Sequence, residues 1–312
     1  MRKSVTWATL SKSNDNKDES DMGEPKYHHY VSAGYLKGFA KKKGDKHSVH
    51  CFNIDEKNVR PQSVRKVAGE NHFFRIDEHS DPNVLEKAYD TEIESPSLAA
   101  LKRVCELRSF SNTADREAVL LLFSLFAARN PRDRKSLAEN IQPLNKVLTI
   151  SALGQEGLNS LEAAAALEMN TTKHSLLELS VIGDIHQCLL DRKWVFLQAS
   201  DDSAGFITSD YPVNLIPHPS RTEDGWGLGF ALKDVSVFIP LNRNLAILGD
   251  YDAKERLVPL AREAVAAFNS RVIRNATRQV YSYSNDFEFF GPQDTLLTGS
   301  DLPSALQALT QT

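Results

Sequence analysis

Two adjacent histidines, His28 and His29, an arginine behind an apolar run, Arg129, and an aspartate in a Ser-Asp-Tyr-Pro turn, Asp210, are residues whose types could together move a proton and hold developing negative charge. Imidazole titrates near neutrality, and a carboxylate fixed at the end of a strand can act as a general base or as a metal ligand. A guanidinium fork matches a carboxylate or phosphate group. Tyr35, Ser209 and Arg132 lie beside these residues in sequence and are expected to contact substrate. The chemistry expected of the set is hydrolysis of a phosphodiester or other anionic substrate, small or polymeric. His28 or His29 would be the acid/base, Asp210 the base or metal ligand, and Arg129 the charge stabiliser. The residue types are compatible with a divalent cation, but no spacing specifies one. The chain has no glycine-rich phosphate loop, no Gly-x-Ser-x-Gly elbow and no His-Glu-x-x-His, which removes the better-marked enzyme classes.

The elements that must position these residues can be read from the spacing of apolar positions. Val31, Tyr35, Leu36 and Phe39 fall at i, i+4, i+5 and i+8, which predicts a short helix with the two histidines at its start. Residues 118–128 are apolar all round and predict a helix buried in the centre of the protein, with Thr113 as its N-cap. Pro131 ends that helix and leaves Arg129 at its C-terminal end, where a cation suits the helix dipole. There the arginine either meets a core carboxylate or exposed carbonyls, or waits for an anionic substrate. Phe206-Ile207-Thr208 reads as a strand running straight into the turn that carries Ser209 and Asp210. Their side chains either satisfy turn amides or present a rigidly held carboxylate. Glu86, Asp90 and Glu94 are spaced by four, which predicts one acidic helix face, solvated or metal-binding.

Composition bounds the rest. The chain has 312 residues, 41% hydrophobic and 25% charged, as expected of a folded protein with a large core. The net charge of -4 argues against a chain that coats nucleic acid, so contact with nucleic acid would be local, through Lys41 to Lys46, Arg60, Arg65 and Lys66. Three distant cysteines signal neither a disulfide framework nor a thiolate zinc site and fit a reducing compartment. No apolar run has signal-peptide or membrane-span length, so a cytoplasmic protein without membrane association is expected. Residues 1–24 read as a disordered leader, 25–290 as a single α+β domain and 291–312 as a C-terminal tail. Within the domain, a largely helical middle is expected to pack on a C-terminal antiparallel sheet. The oligomeric state leaves no signal.

His28-His29-Tyr30-Val31 with Tyr35-Leu36 and Phe39, Arg129-x-Pro131 after an apolar helix, Thr208-Ser209-Asp210-x-Pro212-Val213, Pro240-Leu241 and Val280-Tyr281 occur in this order from about Lys26 to Ser284. The pattern resembles the DUF4238 family, a large, mainly microbial group named as a domain of unknown function. Ser32 stands where family members commonly have a proline, and Tyr211 where the turn usually has an asparagine. The resemblance implies one fold and supplies no activity. Three functional classes therefore stay open: the hydrolase above, a local nucleic-acid binder, and a non-catalytic partner-binding protein in which His28, Arg129 and Asp210 form a structural polar network.

Overall fold

The computed structural model describes residues 27–71, 73, 81–130, 132, 171–221 and 227–309. The leader expected over 1–24 lies outside the described residues, as do residues 133–170 of the middle that is expected to be largely helical. The N-terminal part contains β1 (Tyr27–His29), the one-turn helix α1 (Ala33–Leu36), a 3-10 turn (Lys37–Phe39), β2 (Lys41–Lys43), β3 (Lys46–Asn53), β4 (Asn58–Ser63) and β5 (Gly69–Asn71). The middle contains α2 (Val84–Ala88), a π-helical segment (Tyr89–Glu94), α3 (Ser95–Leu107), α4 (Thr113–Ala128) and α5 (Thr171–Leu190). After it come β6 (Lys193–Ala199), β7 (Thr208–Ser209), β8 (Asn214–Pro217), β9 (Val235–Asn242), β10 (Leu245–Asp250) and β11 (Arg256–Leu260). The last elements are α6 (Arg262–Asn275), β12 (Gln279–Ser282), β13 (Glu288–Phe290), β14 (Leu296–Thr298) and α7 (Leu302–Leu309).

Helices and several sheets together make the fold α+β. One sheet has the order β11-β6-β10-β9-β8 and is antiparallel except for the β11–β6 pair. The other has the order β2-β3-β12-β7 with β4 also on β3, so strands from both ends of the chain share it. The segment 258–273, which reads as one helix, splits because Pro259 lies in the edge strand β11 and helix geometry begins only at Arg262. Residues 296–309, read as a tail, form β14 and α7. Thr298 and Asp301 close a capping box before that helix, and Leu302 is buried.

Helix α4 lies in the core as its composition dictates, with Val119, Leu120, Leu122, Phe123, Leu125 and Phe126 buried. Its N-cap is Asn112 rather than Thr113. Asn112 has the extended φ of -149° that a cap needs, and its Oδ1 accepts from the Asp115 N–H at 2.8 Å. Tyr35 packs edge-on against Phe39 and Phe123, which seats the His28–Phe39 stretch on α4. No described helix is long and apolar enough to cross a membrane.

Two loop positions fix the sheet ends. Arg192 is wholly buried and donates to the carbonyls of Val235 (2.6 Å), Phe230 (2.7 Å), Leu232 (3.3 Å) and Gly249 (3.3 Å) while stacking on Tyr251, so it ties β9 and β10 to the loop before them. Gly205, at φ +93°, brings its backbone against the Arg243 carbonyl, where any Cβ would collide. Gly205→Ala is expected to lower stability by about 2–3 kcal/mol, more than an ordinary glycine replacement, because strain and clash add. A urea midpoint unchanged from the parent would refute this.

Candidate functional site

The histidines occupy a strand, not the start of a helix. β1 pairs antiparallel with β5, His28 opposite Glu70, and the side chains alternate so that His28 is fully buried and His29 half-buried. Helix α1 begins after Ser32, whose Oγ accepts from the Gly34 N–H at 3.1 Å. The histidine pair is therefore set by sheet pairing, and the helix follows it.

Arg129 caps α4, its N–H bonded to the Leu125 carbonyl at 3.0 Å, and its guanidinium is 0% exposed. Nη1 donates to Glu94 Oε1 at 2.7 Å, and Nη2 donates to the His29 carbonyl at 2.6 Å and lies 3.5 Å from Glu86 Oε2. The Tyr89 ring lies under the guanidinium, 4.8 Å from its centroid. The arginine thus joins β1 to the helical middle.

The carboxylates reach it because the helix between α2 and α3 is locally underwound. An ideal α-helix would stack Glu86, Asp90 and Glu94 on one exposed face. The π-helical segment turns Glu94 inward to the arginine, while Asp90 stays outside and accepts from Ser95 Oγ at 3.1 Å. Two carboxylates then share one guanidinium, Glu94 at 2.7 Å and Glu86 at 3.5 Å. Burial, reinforced by Glu94 and Asp90 and opposed by Arg129 and the His29 backbone N–H, pushes the Glu86 carboxyl up to about 7. The Glu86 side chain is still 25% exposed, so solvent reaches it. His29 bonds the backbone of Val64 and Arg65, and burial pulls its pKa below the ordinary value.

Asp210 lies one residue further along the same network. Asn130 Nδ2 donates to the Asp210 carbonyl at 3.1 Å. The Asp210 carboxylate is 2% exposed and accepts the backbone N–H groups of Thr277 (2.9 Å), Arg278 (2.6 Å) and Gln279 (3.2 Å), which locks the turn after β7 to the start of β12. Burial outweighs those three bonds and raises its carboxyl to about 6. Arg278 also pairs with Glu70 on β5, opposite His28, so the two halves of the network meet through β5 as well.

Of the other expected contacts, Tyr35 and Ser209 are turned into the protein, whereas Arg132 is exposed. The Tyr35 hydroxyl is buried, bonded to the Pro240 carbonyl at 2.7 Å and Thr208 Oγ1 at 2.8 Å. Ser209 Oγ closes its own turn on the backbone of Tyr211. Arg132 stacks on the Tyr211 ring, 4.5 Å from its centroid. Arg129 is brought together with His29, and Asp210 joins them through Asn130. Tyr35 and Ser209 face the core and not a cleft. Sequence reasoning placed Glu86 and Glu94 on an acidic helix face and did not join them to Arg129; the shared carboxylate spacing was visible, but the π turn that redirects Glu94 was not. Among the described residues no three His, Cys, Asp or Glu side chains converge as metal ligands.

A family model described as "Protein of unknown function (DUF4238)" matches residues 27–286. No curated protein and no solved structure matches the chain.

Proposed function

This chain belongs to the DUF4238 family of proteins of unknown function, and we propose that it is a hydrolase whose proton-transfer group is Glu86. The observation that carries this reading is a carboxyl poised near neutrality, about 7, and open to solvent beside a sealed guanidinium. Glu86 as carboxylate takes the proton of an attacking water and, once protonated, returns it to the leaving oxygen as the scissile bond breaks. Burial sets its proton affinity, with Arg129 lowering it and Glu94 raising it, and the His29 carbonyl holds the guanidinium in place. An anionic ester, a phosphodiester included, fits best because Arg65 and Lys66 are exposed on the turn whose backbone binds His29. Three free cysteines fit a reducing compartment.

Glu86→Gln separates this reading from its rival. A carboxyl raised from 4.5 to about 7 on folding stabilises the native state fully below the unfolded pKa, and that stability is lost as pH rises through 7. The glutamine variant is therefore expected to be at least as stable as the parent at pH 8 and to lose this part of the pH dependence. Turnover of an RNA, DNA, nucleotide or simple ester panel, with and without Mg²⁺, Mn²⁺ or Zn²⁺, is expected to fall about 100-fold. The second reading, a structural network in a partner-binding protein, is favoured by the sealed Arg129 and the three amide bonds to Asp210. No turnover, together with a Glu86→Gln melting temperature several degrees lower at pH 8, would replace the first reading by the second.

A further inference from the structure

Away from Glu86, three polar atoms converge at one end of the β8-β9-β10 group: His218 Nε2, just past β8, Ser236 Oγ on β9 and Asp250 Oδ2 at the end of β10. Nε2 lies 2.9 Å from both oxygens, and the oxygens lie 2.8 Å apart. The backbone holds the group in place, with the His218 N–H on the Asp234 carbonyl at 2.9 Å and the Asp252 N–H on Asp250 Oδ1 at 3.3 Å. The histidine and aspartate side chains are 33% and 23% exposed, so the cluster opens to solvent.

The triangle has three short edges and at most two protons to fill them, one from the hydroxyl and one from Nε2. It is also wired wrongly for a nucleophilic relay, which needs the aspartate on Nδ1 and the serine on Nε2. Here both oxygens meet Nε2, and the serine proton is directed at the carboxylate. We propose that His218, Ser236 and Asp250 form a divalent-cation site, a facial set of one imidazole, one hydroxyl and one carboxylate. A cation about 2.1 Å from each atom would see neighbouring ligands at about 90°, the octahedral angle, with the opposite face left to water or an oxygen ligand. Tetrahedral zinc would need ligand atoms about 3.4 Å apart. The imidazole shifts preference from Mg²⁺ toward Mn²⁺ or Fe²⁺. With the proton moved to Nδ1, all three atoms offer lone pairs to one point, and the cation would stand in for the missing protons. The cation would tie together the ends of three neighbouring strands and sit apart from the Glu86 centre.

The test is a Mn²⁺ titration of the purified full chain, with free Mn²⁺ counted by electron paramagnetic resonance. One tight equivalent is expected, weakened about 10-fold or more in His218→Gln and Asp250→Asn and unchanged in Glu86→Gln. The bound spectrum should carry a ¹⁴N coupling that His218→Gln removes. Should Asp250→Asn fail to fold, His218→Gln and Ser236→Ala decide. No bound Mn²⁺, or equal binding by parent and His218→Gln, overturns the site.

Discussion

Arg129→Ala is expected to lower stability by about 3–5 kcal/mol at pH 7.5, a large share of the roughly 5–15 kcal/mol that holds a typical domain together. The loss comes from what remains behind. Glu94 keeps its buried charge without the donor at 2.7 Å, the His29 carbonyl loses the donor that ties β1 to the helical middle, and the Tyr89 ring loses its cation. Arg129→Lys should recover only part, because one ammonium cannot span Glu94 and the His29 carbonyl with a fixed fork. The deficit should shrink toward pH 5, where Glu86, whose carboxyl is raised to about 7, is protonated and no longer needs a counter-charge. Urea midpoints at both pH values, with the slope held constant, measure this. A deficit under about 1 kcal/mol at pH 7.5 would mean that the arginine does not hold the carboxylates as described.

The second large effect is expected at Asp210. Its carboxylate is the acceptor for three consecutive backbone donors, Thr277, Arg278 and Gln279. Alanine leaves three part-buried donors without their acceptor at up to about 1–3 kcal/mol each, so Asp210→Ala should lose several kcal/mol in all. Asparagine keeps one acceptor oxygen and should lose about half as much. Hydrogen exchange is the sharper readout: amides 277–279 should exchange far faster in the alanine variant while those of α4 follow only the global change. Equal exchange at 277–279 in parent and variant would remove the clamp.

What could be read from the sequence followed periodicity and local chemistry. The apolar run of α4, the strand-and-turn around Thr208 to Asp210 and the meeting of Arg129 with a core carboxylate all follow from residue type along a short stretch. The helix expected around Val31 to Phe39 starts at Ala33 and continues into the 3-10 turn Lys37–Phe39, but the histidines lie outside it, because the pairing of Tyr27–His29 with β5 claims them and no local pattern reports a partner about forty residues away. The π turn had the same cause. Nothing in Tyr89 to Glu94 marks a widened helix, and what turns Glu94 inward is Arg129, which lies far along the chain. Asp210 shows the remaining gap: the turn could be read as satisfying its own amides or as presenting a carboxylate, whereas the amides it holds lie at and just before the start of β12.

The pairing of β12 with β3 also bears on how the chain is made. β3 is synthesised early and receives β2 and β4 from its immediate neighbours, but its remaining edge over His50–Asn53 is filled by Gln279–Ser282 from near the other end. A nascent chain on the ribosome therefore displays an open strand edge until residues 279–282 emerge, a template for pairing with any neighbouring nascent chain. Long-range closure of this kind also makes folding slow. Truncation before residue 279 should yield aggregation rather than a smaller folded protein, since a strand that emerges late seals a sheet begun by β2, β3 and β4.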